Sequence, residues 1–90
     1  MQYKDEKTLQ LREILGEVCK DFRKKTGMSC NNFEEAFDFS KGNINRIENG
    51  VVDCKFITLW KVAEALGMKP SELVKILEDK LGENFSLIDE

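Results

Sequence analysis

Residues 40–50 read Ser40-Lys41-Gly42-Asn43-Ile44-Asn45-Arg46-Ile47-Glu48-Asn49-Gly50. Ser40 is a favoured N-cap, Ile44 and Ile47 lie three residues apart on one helix face, and Gly50 is a natural stop. The stretch predicts a short helix over residues 41–49. Isolated helices below about 12 residues are marginal in water, so packing must hold this one. Its outward face consists of Lys41, Gly42, Asn43, Asn45 and Arg46, polar or small, with no carboxylate before Glu48. Asn and Arg suit adenine and guanine edges, and Lys reaches guanine or phosphate. A solvated helix face has the same composition, so spacing alone does not separate the two.

Working outward, Ser29 can cap a second helix over residues 30–37, with Phe33 and Phe37 on one side and a turn at Asp38-Phe39. Two short helices about three residues apart form a helix-turn-helix over about residues 29–49, whose second member fits a major groove about 12 Å wide. Upstream, Leu11, Leu15, Val18, Cys19 and Phe22 mark a helix ending at Thr26 before Gly27, capped by Thr8 or starting as early as Lys4. Downstream, a loop over residues 51–55 leads to a helix with Phe56, Leu59, Val62, Ala63 and Leu66 inward. Pro70 then opens a fifth helix lined by Leu73, Ile76, Leu77 and Leu81. Gly82 begins a tail, residues 82–90, that carries Phe85, Leu87 and Ile88. The pattern predicts one all-α domain of five helices spanning residues 1–90.

From Gly16 to Leu73 the chain closely resembles the Cro/lambda-repressor type (XRE-like) of bacterial and phage helix-turn-helix transcriptional regulators. The resemblance rests on residues 40–50 and their Glu-Asn-Gly ending. Thr58-Leu59-Trp60-Lys61-Val62-Ala63-Glu64-Ala65-Leu66, Leu15-Gly16, Arg23 and Gly27-Met28-Ser29 all stand at the family's offsets. It implies a compact lambda-repressor-like domain that binds double-stranded DNA in the major groove. By the same resemblance, Lys41, Gly42, Asn45 and Arg46 stand at base-reading positions. Ser29, Asn43, Asn49, Lys55 and Thr58 stand at phosphate positions, and Arg23 and Glu48 match a structural ion pair. Three positions depart from the family pattern: Glu34 replaces a small residue facing the recognition helix, Asp38 replaces the turn glycine, and Cys30 replaces a phosphate-binding glutamine.

Composition narrows the function. With no histidine among 90 residues, the common general base and nucleophile pairs are missing, and the chain reads as no enzyme. Three cysteines without C-x-x-C spacing indicate no metal site and no disulfide framework, and suit a reducing cytoplasm. A thiol switch at Cys30 or Cys54 is disfavoured, because no cation flanks Cys30 in sequence. There is neither an apolar leader nor a membrane-length apolar run. No cofactor and no small-molecule ligand are expected.

Charge is the discordant feature. Fourteen basic against 17 acidic residues give a net of −3, where indiscriminate nucleic-acid binders are usually basic. Residues 1–27 carry seven basic and five acidic groups, residues 28–55 three and five, and residues 56–90 four and seven. Most of the excess acid therefore follows residue 55. Two functions remain: a sequence-specific regulator, dimeric on a palindromic operator, or the same fold kept as a protein-interaction module of antitoxin-like or regulator-binding type. The expected dimer surface is the fifth helix and tail, with Trp60, Phe85, Leu87 and Ile88. Trp60 alternatively packs against the first or fifth helix.

Overall fold

The structure is a computed structural model that describes residues 2–88, with side chains described from Glu6 onward; residues 89 and 90 of the predicted tail lie outside the described residues. Its helices are α1 (Gln2–Thr26), α2 (Cys30–Phe37), α3 (Asn43–Glu48), α4 (Phe56–Ala65) and α5 (Pro70–Leu81), and no strand occurs among the described residues. Thr8 does not cap α1. The helix-favouring run ahead of it carries the helix back to Gln2, and Thr8 sits inside it. Among the described residues, no helix is long and apolar enough to cross a membrane.

The core joins all five helices: Leu15, Val18 and Cys19 of α1, Phe33 of α2, Ile44 and Ile47 of α3, Val62 and Ala63 of α4, and Leu73 and Leu77 of α5. Phe33 is its aromatic centre. It stands 5.0 Å from Phe37 and 5.9 Å from Phe39, so the C-terminal end of the short α2 and the turn after it are tied to the interior. Helix α1 runs against α3 and α5, placing the recognition segment on the longest element of the fold. The α1–α3 crossing depends on Gly16. A Cβ there would lie 2.6 Å from the Ile47 carbonyl oxygen and closer still to that of Glu48.

Two expectations about α4 fail. Phe56 is not inward but 68% exposed, since Val52 and Cys54 of the preceding loop pack against the core instead. Trp60 does not pack into the interior either: it is 47% exposed and meets Phe56 edge to face. The four residues of the expected dimer surface have different surroundings. Leu87 lines an apolar cavity with Leu11, Leu15, Leu59 and Leu77, Phe85 is half-buried beside α5, and Ile88 is exposed.

Overpacking a close crossing costs about 1–3 kcal/mol, so Gly16→Ala is expected to lower unfolding stability by that amount. Urea denaturation checks it, and an unchanged midpoint would mean that α1 and α3 do not cross this closely.

Candidate nucleic-acid interface

Helix α3 spans six residues and starts at Asn43, two residues after the position expected from Ser40. The reason is Gly42, whose φ of 82° places it in the left-handed region that glycine adopts freely. Ser40 is displaced as cap by Glu34. The Glu34 side chain is buried, and its Oε1 and Oε2 accept the N–H groups of Gly42 at 2.9 Å and Ile44 at 2.8 Å. A carboxylate facing the positive end of a helix and two of its free amides is favourably placed. The residue that departs from the family pattern is thus the part that fastens α2 to α3.

The turn between the helices is secured separately. Asp38 takes φ 61°, ψ 48°, the left-handed conformation expected of a glycine there. Asp tolerates that region better than most residues. Lys61 of α4 donates to the Asp38 carbonyl oxygen at 2.6 Å, and its ammonium lies 4.9 Å from the centre of the Phe39 ring. This one lysine therefore joins α4 to the turn by a hydrogen bond and a cation–π contact.

The far end of α3 is held by Arg23. Its Nε donates to Glu48 Oε2 at 2.6 Å, Nη2 to Oε1 at 3.0 Å, and Nη1 to the Met28 carbonyl oxygen at 2.7 Å. The forked contact, largely shielded from solvent, links the end of α1, the start of α2 and the end of α3. The Glu48 hydrogen bond raises the Arg23 pKa further. Cys30 donates its thiol to Glu48 Oε1 at 3.5 Å. A cation does flank Cys30 after all, contrary to the sequence expectation, because the fold brings Arg23 near. Burial and the Glu48 charge outweigh Arg23, so the Cys30 thiol is raised. Burial also pushes Cys19 up to about 12 and Cys54 up to about 11.

With both ends fastened, α3 turns Asn45 and Arg46 outward, with Lys41 exposed just ahead of it. The Asn49 side-chain amide donates to Asn45 Oδ1 at 3.1 Å. Arg46 folds back toward Gly42, where a Cβ would lie 2.8 Å from its Nη1, so the missing side chain leaves room for the guanidinium. Ser40, Asn43, Arg46, Lys55 and Thr58 line one concavity between α3 and the start of α4. Ser29 stands apart at the start of α2, where its oxygen accepts the Asn32 N–H at 3.1 Å. The fold thus gathers Asn43, Arg46, Lys55 and Thr58, with Lys41 and Asn45 on the adjoining face.

The acids nearest this face are partly neutralised. Glu34 is spent internally. Asp53, on the rim of the same concavity, accepts from Arg12 Nε at 2.7 Å, and that guanidinium holds its carboxyl below the usual range. Glu35 and Asp38 remain exposed.

Two short helices locked at a tight turn, with a polar face on the second, define a helix-turn-helix DNA-binding domain. A family profile described as the Cro/C1-type HTH DNA-binding domain matches residues 20–79, two thirds of the chain, and the protein belongs to that family. No match was found among curated proteins or solved structures.

Reasoning from sequence missed the Glu34 cap. Its signals were a carboxylate next to Phe33 on the inward side of a helix, where it must find donors, and its place where the family has a small residue facing the recognition helix. Glu34→Ala strands two amides, each costing about 1–3 kcal/mol when buried without a partner. Accelerated exchange of the Gly42 and Ile44 amides is the specific signature, and unchanged exchange would remove Glu34 from this role. Since thiolates and not thiols react, all three cysteines should label slowly at pH 8 in the folded protein and rapidly in denaturant. Fast labelling of folded Cys30 would contradict its raised pKa.

Proposed function

We propose that the protein is a sequence-specific transcriptional regulator that lays α3 in the major groove of a palindromic operator and binds as a homodimer. The observation that carries this reading is the double fastening of α3 by Glu34 and Arg23. It holds the six-residue helix with Asn45 and Arg46 exposed and with Lys41 and Gly42 just ahead of it, and these four are the proposed base-reading residues. Ser29, Asn43, Asn49, Lys55 and Thr58 are the proposed phosphate contacts. The Ser29 oxygen accepts the Asn32 N–H while its own hydroxyl proton stays available to a phosphate. In this reading it is a cytoplasmic protein of bacterial or phage origin that needs no cofactor, metal or small-molecule ligand and is not an enzyme.

The net charge of −3 shapes how it binds. A weakly basic face contributes little general attraction, so affinity rests on a few base contacts and on pairing of two copies. The same charge, together with the exposed Phe56, Ile57 and Trp60, favours the second reading, a protein-interaction module of antitoxin-like or regulator-binding type. Selection of bound duplexes from random DNA at two salt concentrations separates the two. A regulator enriches one palindromic sequence at both, whereas an interaction module enriches none.

On the enriched duplex, Asn45→Ala and Arg46→Ala should each lose about 1–3 kcal/mol of binding, concentrated at one base pair, with unfolding stability retained. Lys55→Ala should weaken binding evenly across sequences and reduce the salt slope by about 1. Gel shifts over a salt series check all three; undiminished binding by both α3 variants would refute the assignment.

A further inference from the structure

Between α1, α4 and α5 lies a cavity of about 420 Å³, walled mainly by Leu11, Leu15, Leu59, Leu77 and Leu87. The chain turns at Gly82, where the Phe85 N–H donates to the Gly82 carbonyl oxygen at 3.3 Å, and the tail beyond brings Leu87 to this wall. Small-molecule sites have volumes of about 300–1,000 Å³, apolar walls and a few polar groups that fix orientation. Here the polar groups stand together. Thr8 and Arg12 lie one turn apart on α1, and Asp53 accepts from Arg12 Nε at 2.7 Å. The Arg12 side chain is set into the wall at 32% exposure, whereas that of Asp53, 76% exposed, reaches it from solvent. An ion pair so open to water is weak, and a second carboxylate can replace Asp53 on the guanidinium.

We propose that this cavity binds an aliphatic monocarboxylate of medium chain length, its chain among the leucines and its carboxylate on Arg12 in place of Asp53. The chemistry of the wall selects this class. Leucines take an unbranched chain without stranding a polar group, and a second charge at its far end would be buried there unpaired. The planar guanidinium matches a carboxylate and repels an amine. The site also reaches the α3 surface. Asp53 and Cys54 line both this cavity and the concavity that holds Arg46 and Lys55. An acid that takes Arg12 therefore leaves the Asp53 charge uncompensated beside two cations proposed to meet DNA. DNA binding itself needs no ligand; the acid opposes it. That consequence rests on the regulator reading, while the cavity and its ligand do not.

Calorimetric titration of the full chain with sodium octanoate, kept below its micelle concentration, tests the site. One acid per chain should bind, about fourfold tighter for each methylene added from hexanoate to octanoate, and octylammonium should not bind. The NMR methyl signals of Leu11, Leu59 and Leu87 should move, and those of the exposed Ile57 and Ile88 should not. Asp53→Asn removes the competing carboxylate and should tighten octanoate by up to about fivefold. Arg12→Met should weaken octanoate about tenfold, while 1-octanol, with no charge to place, binds parent and variant alike and shows the cavity intact. Absence of octanoate binding, shifts centred on Ile57 or Ile88, weaker binding by Asp53→Asn, or equal losses of acid and alcohol in Arg12→Met would each overturn the proposal. On the enriched duplex, octanoate should weaken binding of the parent severalfold and of Asp53→Asn not at all; an unchanged parent would overturn the link to DNA. If no duplex is enriched, the regulator reading fails, and the titration still decides the site.

Discussion

Six residues are too few for a helix to hold itself in water, and everything that gives this protein a DNA-facing surface depends on how α3 is held from outside. Ile44 and Ile47 bury one side of it. Two carboxylates fix its ends: Glu34 reaches from α2 to the amides of Gly42 and Ile44, and Glu48 reaches back to Arg23 on α1. Apolar contact alone would let so short a helix roll on its isoleucines. Directional bonds at both ends fix its rotation, and rotation decides whether Asn45 and Arg46 point outward.

The two anchors differ in kind. Arg23 and Glu48 form a forked ion pair whose arginine is also bonded to Met28, so removing either partner leaves a shielded charge behind, a loss of about 3–5 kcal/mol in comparable pairs. Among the described residues no cation pairs with Glu34; backbone amides and the helix dipole face it instead. One negative charge is thereby absorbed close to a surface that must approach phosphates. Arg12 does the same for Asp53 at the rim. The overall acidity is thus less damaging than the count suggests, and two of the acids are structural parts of the face.

Much of this was legible in the sequence, because it follows from spacing and local chemistry. The bounds of α2, the Ser29 cap, the left-handed Asp38 and the start of α5 at Pro70 come from residues acting on their own backbone. What was not legible depends on partners distant in the chain. The late start of α3 at a left-handed Gly42 goes with a carboxylate eight residues upstream that takes the Gly42 amide, and the setting of Cys30 with an arginine on another helix. Periodicity placed Phe56 on the inward stripe of α4, but a stripe only names a face. Whether the core reaches that turn is decided by Val52 and Cys54, which a helical pattern does not see. The proposed DNA contacts were named through family resemblance; the grouping of Asn43, Arg46, Lys55 and Thr58 in one concavity is a product of the fold.

The central claim is that the surface built by the fastened α3 and the start of α4 meets DNA. Titrating isotope-labelled protein with the duplex enriched from random DNA, and following every amide by NMR, tests it most directly. The account predicts the largest shifts at Lys41, Gly42, Asn45 and Arg46, with Lys55 and Thr58 following and Leu73 and Leu77 of α5 unmoved. Shifts confined to α5 and the tail, with the 41–46 segment silent, would contradict it.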